Sequence, residues 1–310
     1  MTSTHGTDQH GHGHEHGHGH HHGHGHQHGD GQQHGQHADD GGMTGLLELD
    51  AEVLRDYWAD ALDWVRDAAT EAGPAPGQLL DLGAGTGTGA LGLAARFPAA
   101  TVTAVDIESE PLARLAERAR QLGLAGRVRA VLADLDADWP GLGPLDLTWA
   151  SMSLHHLADP SGALRRLLDT TRDGGLIAVA EFREPLRFLP DDPAAGPAGF
   201  EDRAIAAHGH SHAEAMPTLG SDWAPRLAAA GWHVTAERDF RIDLNPPSHP
   251  LAAQYARRWF TRLEHGLAGE LDAADQATLA ALLDEQGPHA LARVPLHIRG
   301  TRTVTLARRG

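Results

Sequence analysis

Residues 78–89 read QLLDLGAGTGTG, an apolar run broken by glycines at 83, 85, 87 and 89. A short apolar run stopped by glycine predicts a buried strand that ends in a sharp turn. Ala90, Leu91, Leu93, Ala94, Ala95 and Phe97 follow as a helix-forming segment closed by Pro98. The unit is therefore strand, glycine loop, helix. Glycine permits positive φ and lets a ligand approach the main chain without meeting a Cβ.

Two cofactors suit such a unit. A dinucleotide needs G-x-G-x-x-G/A, so that its pyrophosphate can sit on the helix N-terminus, and Gly85, Gly87 and Ala90 have that spacing. The other reading starts inside the strand, at Asp81-x-Gly83-x-Gly85-x-Gly87. Residues 101–107 (TVTAVDI) read as a second strand carrying Asp106, 19 residues past Gly87. An acid there can accept both hydroxyls of a ribose, which either cofactor offers. Residues 111–124 read as an amphipathic helix; 127–134, 145–151 and 174–182 read as the third to fifth strands.

The acid-led glycine loop, the Ala133-Asp134 pair closing the third strand and the segment Leu154-His155-His156-Leu157-Ala158-Asp159-Pro160 after the fourth form one pattern. It resembles the class I S-adenosylmethionine (SAM) methyltransferases, in the branch that includes the ubiquinone and menaquinone methyltransferases. The resemblance covers about residues 78–182. Beyond it, 223–230 read as a helix, 232–244 as a strand, 252–266 and 272–286 as two helices, and 298–307 as a last strand. Such an ending gives the closing antiparallel pair of that family. The predicted fold is α/β, a Rossmann-like, mostly parallel seven-stranded sheet of order 3-2-1-4-5-7-6 with helices on both faces. A nicotinamide-binding domain does not need the closing pair, which ranks SAM above NAD.

The resemblance implies roles. Gly83, Ala84, Gly85 and Gly87 would shape the loop, and Asp81 would order it beside the ammonium end of SAM. Asp106 and Ile107 would hold the ribose, Asp134 and Leu135 the adenine, and Ala150 and Ser151 would line the methionine end. His155 and His156 follow the fourth strand, where open α/β sheets place their sites. Either could take a proton from an acceptor, or could pack the following helix and touch no substrate. Glu181, ending the fifth strand, is a candidate polar group facing the cleft or a solvated strand terminus.

Residues 1–42 are His, Gly, Gln and Asp with almost nothing apolar, and hold 14 of the 24 histidines. Such a segment cannot offset the entropy of ordering and is expected to be disordered. His10, His12, His14, His16, His18, His20, His21, His22, His24, His26 and His28 offer interchangeable imidazole ligands for nickel, zinc, cobalt or copper. A metal-buffering tail, a solvated tail and an expression tag compete there.

Residues 43–310 would form the SAM-dependent domain, with substrate-side insertions at 183–221 and 246–297. A leading helix is expected over 46–70, on the stripe Leu46, Leu49, Val53, Leu54, Tyr57, Trp58, Ala61, Leu62, Trp64 and Val65. His208, His210 and His212 could bind a metal with Glu201, Asp202 or Glu214, but only on an extended segment. The chain has no cysteine, which excludes thiolate metal sites and cysteine nucleophiles. Its formal charge is −17, with all 25 basic residues arginine, which disfavours nucleic acid as substrate. No apolar stretch nears the ~20 residues needed to span a bilayer, and the N-terminus lacks a secretory pattern, so a cytoplasmic protein is expected. Function then reads as methyl transfer from SAM to oxygen, nitrogen or carbon of a small molecule. The alternatives are a metal-handling protein with a SAM-type body and an NAD-dependent oxidoreductase.

Overall fold

The computed structural model describes residues 42–310, apart from 72, 192–194, 215 and 268. The tail histidines at 10–28 therefore lie outside the described residues. Seven strands form one sheet: β1 (Gln78–Leu82), β2 (Thr101–Asp106), β3 (Val128–Leu132), β4 (Leu145–Ser151), β5 (Thr171–Arg187), β6 (His233–Leu244) and β7 (Ile298–Arg308). Their order is β3-β2-β1-β4-β5-β7-β6, as expected from the sequence. The first five are parallel, and β7 runs antiparallel between β5 and β6.

Helices cover both faces, so the central strands are continuous apolar runs rather than alternating ones. Side chains still divide by period two. Leu79, Val102, Leu147, Ala178 and Leu306 face one core, shared with α2 (Arg55–Glu71) and α3 (Thr88–Arg96). Leu80, Leu82, Val105, Ala150, Ile177 and Val179 face the other, with α5 (Pro160–Thr170) and α7 (Trp223–Ala229). Asp159 caps α5 by accepting the Gly162 N–H at 2.8 Å, and Pro160 opens the helix with its φ preset. The Asp-Pro pair after the histidines is thus a helix start.

Two elements differ from the sequence expectation. The leading helix is interrupted at Leu54, giving α1 (Gly42–Val53) and then α2, although Leu54 N–H still donates to Asp50 O and Trp58 N–H to Leu54 O. The fifth strand runs from Thr171 to Arg187, because β7 supplies a ladder as far as Arg187 opposite Arg299. Register shifts between Phe182 and Arg187 re-aim its last residues. The remaining helices are α4 (Ser109–Gln121), α6 (Phe200–His212), α8 (Ala252–Gly266) and α9 (Ala273–Leu283). α6 carries His208 and His210 on a helix, where residues two apart point away from each other. Among the described residues no group of three or more His, Asp or Glu is placed to hold a metal.

Gly87 precedes α3 with φ +82°, and a Cβ there would stand 2.0 Å from Leu115 Cδ1. Gly87→Ala combines a left-handed backbone with overpacking. It should cost about 2–4 kcal/mol, read as a lower urea midpoint; an unchanged midpoint would contradict this packing.

Candidate active site

The C-terminal ends of the parallel strands open into a cavity of about 520 Å³. It lies beside β1 and β4, where the strand order reverses, the place open α/β sheets keep for ligands. Its floor is the glycine loop. Gly83 N–H and Ala84 N–H both donate to Val105 C=O, at 2.9 and 3.0 Å. Gly85 N–H donates to Asp106 Oδ2 at 2.7 Å, and Glu108 N–H to Asp106 Oδ1 at 2.9 Å. The loop is therefore tied to the end of β2. A Cβ on Gly83 would lie 2.3 Å from Ser153 Cβ, so only glycine lets that segment approach.

Residues 80–177 match the family described as "Methyltransferase domain". The YcgJ protein of Bacillus subtilis shares the fold, with a TM-score of 0.50 over 81% of this chain and 99% of that one at 16% identity. The sheet order and the acid-led loop agree with that match, and the YcgJ likeness bears on the fold alone. Residues 80–177 carry a class I SAM-dependent methyltransferase domain. The malonyl-[acyl-carrier protein] O-methyltransferase of Laribacter hongkongensis is 36% identical over 40% of this chain and 41% of its own length. The 27-O-demethylrifamycin SV methyltransferase of Amycolatopsis mediterranei is 30% identical over 41% and 49%, respectively. The ubiquinone/menaquinone biosynthesis C-methyltransferase of Shewanella woodyi is 32% identical over 39% and 49%. The matched stretch thus spans less than half the length of each of these relatives.

Most of the residues singled out in the sequence line the cavity of this methyltransferase domain: Asp81, Gly83, Ala84, Gly85, Asp106, Ile107, Asp134, Leu135, Ser151 and His156. Four do not. Gly87 turns the chain into α3, and Ala150 faces the opposite core with Leu82 and Val179. His155 is 4% exposed, with Nδ1 2.7 Å from Glu181 Oε2. Glu181 is likewise buried; it neither faces the cavity nor meets solvent, and its second oxygen has no hydrogen-bond partner among the described residues. Met152, on the wall, has φ +54°, the one non-glycine positive φ among the described residues. Backbone held in this region stores strain, and such residues gather at functional sites.

The electrostatics of the domain's cavity are uneven. Asp81 is 2% exposed, and burial pushes its carboxyl up to about 7, opposed by a hydrogen bond from the Ala90 amide. His156 is exposed and lines the cavity, with its ring centroid 4.2 Å from that of His155. Desolvation, His155 and Arg262 push its pKa down to about 4, so the imidazole is neutral at pH 7.

Sequence reasoning missed a cluster on the far wall. Asp50 accepts from Trp58 Nε1 at 3.1 Å, from Tyr255 OH at 2.6 Å and from both terminal nitrogens of Arg302. Burial would raise the Asp50 carboxyl, but Arg302 and these hydrogen bonds outweigh it and hold it below the usual range. The guanidinium carbon of Arg302 stands 4.8 Å from the ring centre of Tyr57. No local motif joins residues 252 positions apart; the acid on the apolar stripe of the leading helix was the only hint.

Because the folded pKa of Asp81 is raised, its contribution to stability is complete below about pH 4 and is lost as pH rises through 7. The ligand-free Asp81→Asn variant carries no such charge. Relative to the parent it should gain on the order of 3 kcal/mol between pH 4 and pH 8, measured by chemical unfolding. Parallel pH curves would show that Asp81 does not ionise against burial.

Proposed function

We propose that this chain transfers a methyl group from SAM to a nucleophilic atom of a small molecule. The observation that carries the reading is the turn at Gly83 and Gly85, bare of side chains, tied to a carboxylate on the same cavity wall. Asp106 is oriented by two backbone donors and would accept the ribose hydroxyls. Ile107, 60% exposed beside it, gives an apolar shelf for a planar base, with Asp134 and Leu135 at the base's amino edge. Asp81 and Ser151 belong to the wall, Asp81 Oδ2 and Ser151 Oγ have no hydrogen-bond partner among the described residues, and these two residues would border the methionine end. Gly87 and Ala150 act only by holding the loop and the strand.

SAM, when bound, supplies a methyl group made electrophilic by its sulfonium. The chain's part is placement and proton handling. His156 reaches the cavity in its neutral form and would accept the proton that an acceptor hydroxyl or amine must lose. His155, fixed by Glu181 behind it, would hold the His156 ring in place. The relatives named above methylate at oxygen and at carbon, and a histidine base suits an acceptor with a proton to give up. Residues 43–310 are sufficient for this work. The tail would be a separate metal-binding segment, and no described helix is long and apolar enough to cross a membrane. A cytoplasmic enzyme is the setting we infer.

Titration calorimetry tests the reading. SAM and its demethylated product S-adenosylhomocysteine should bind, NAD should not, and Asp106→Ala should weaken SAM by at least about tenfold, 1.4 kcal/mol. Deleting residues 1–42 should leave that affinity unchanged. Heat from NAD and none from SAM would transfer the site to the oxidoreductase reading. His156→Gln should lower kcat roughly 100-fold with SAM affinity intact; an unchanged kcat would remove the histidine from proton transfer.

A further inference from the structure

The chain is poor in aromatic residues, with seven Trp, two Tyr and six Phe in 310 residues. Six of those fifteen stand on this one cavity wall: Trp58, Trp149, Phe182, Phe188, Tyr255 and Trp259. Five of them come from outside the SAM-side loops, from α2, from β5 and the residue just past it, and from α8. Phe188 packs edge-on to Tyr255 with ring centres 5.0 Å apart, and lies 6.2 Å from the Trp259 ring. The indole N–H groups of Trp149 and Trp259 are buried without a hydrogen-bond partner among the described residues. An aromatic chamber suits a flat ring.

The charges on the same wall narrow the ligand further. Arg302 is its only arginine among the described residues, and it is 5% exposed. Both its terminal nitrogens are given to Asp50, whose own lone pairs are filled by Trp58 and Tyr255 as well. His156 is neutral there; Arg262, on α8, is not among the lining residues, although its charge reaches His156 and helps keep that ring neutral. Glu184 adds a carboxylate near the chamber, and Asp81, Asp106, Glu108, Asp134 and Asp136 add five more toward the glycine loop. An anion entering this space would lose its hydration, and the one arginine among the described lining residues is already engaged by Asp50.

We infer that the acceptor is a neutral aromatic hydroxyl compound, a phenol or hydroxylated polycycle, and that the chamber excludes acceptors bearing carboxylate or phosphate. The inference rests on the methyl-transfer reading above. The hydroxyl meets His156, which takes its proton, and the ring lies against Trp58 and Trp259, which the buried Phe188 and Tyr255 back.

Binding tests this without turnover. The full chain saturated with S-adenosylhomocysteine is titrated calorimetrically at pH 7 with 2-naphthol, 2-naphthoate and n-decanol. 2-Naphthol should bind at least about tenfold more tightly than 2-naphthoate, from the penalty on an unpaired buried anion, and about tenfold more tightly than n-decanol, from the ring contacts. Trp259→Leu should lose most of the naphthol affinity with S-adenosylhomocysteine affinity unchanged, and Trp259→Phe should keep it. If neither variant folds, the selectivity of the parent protein decides the matter alone. Equal or tighter binding of 2-naphthoate overturns the charge argument, and equal binding of n-decanol overturns the aromatic one. S-Adenosylhomocysteine binding with no naphthol binding overturns this inference and leaves the SAM reading standing. No binding of S-adenosylhomocysteine removes both.

Discussion

The hydrogen bond from the Gly85 amide to the Asp106 carboxylate is the contact on which the rest of the site depends. It fastens the turn after β1 to the end of β2, while the second oxygen of Asp106 takes the Glu108 amide at the entry to α4. One carboxylate thereby orders three pieces of chain. A charged acceptor makes such bonds worth about 1.5–3 kcal/mol each. The turn needs the help, because Gly83, Gly85 and Gly87 all hold positive φ and contribute no side-chain packing of their own. Removing Cβ atoms creates the hollow, and the carboxylate keeps the hollow from collapsing.

The part of this arrangement that is local in sequence was legible there. Strand, glycine loop and following helix sit within twenty residues, and the order of the sheet follows from helices alternating with apolar runs plus a closing antiparallel pair. The placement of Ala150 was also readable and was missed. Applied to residues 145–151, period-two alternation sets Trp149 and Ser151 on one face and Ala150 on the other. The two adjacent histidines are a different matter. They lie in a short 3-10 turn at Leu154–His156, and nothing in the letters says which ring will turn inward. The length of β5 was hidden because its last residues, Arg183-Glu184-Pro185, have no strand propensity; their pairing with β7 overrides it.

Tertiary anchors that were invisible in the sequence hold the far side of the cavity. Glu201, on the first turn of α6, reaches back to accept the Phe188 amide at 2.6 Å and the Leu189 amide at 3.2 Å. Burial pushes its carboxyl up to about 7, against the pull of those amides and of Arg299 and Arg187. It fixes the backbone from which Phe188 enters the chamber. Asp50 does the same for the leading helix, joining α1 to α2, α8 and β7 through Trp58, Tyr255 and Arg302. Pairs of this kind, when fully buried, often contribute little net stability over an apolar substitute. Their effect is on geometry: each sets one wall at one distance from the glycine loop, which apolar packing alone would leave adjustable.

The histidine pair shows how the same residue type is given two tasks by position alone. His155 points into the protein and meets the Glu181 carboxylate, both 4% exposed at the side chain. His156, one residue on, lies across the chamber wall with no carboxylate against it. Its desolvation and its neighbours His155 and Arg262 all oppose a second positive charge in the same corner. A protonated ring there would add to the positive charge that a sulfonium brings, so neutrality serves binding as well as proton transfer. The acids on the loop side run the other way and favour a cation. The cavity therefore differs along its length, acidic where the cofactor's charge would sit and bearing a neutral imidazole where the acceptor would give up its proton, with Asp106 at one end and His156 backed by His155–Glu181 at the other.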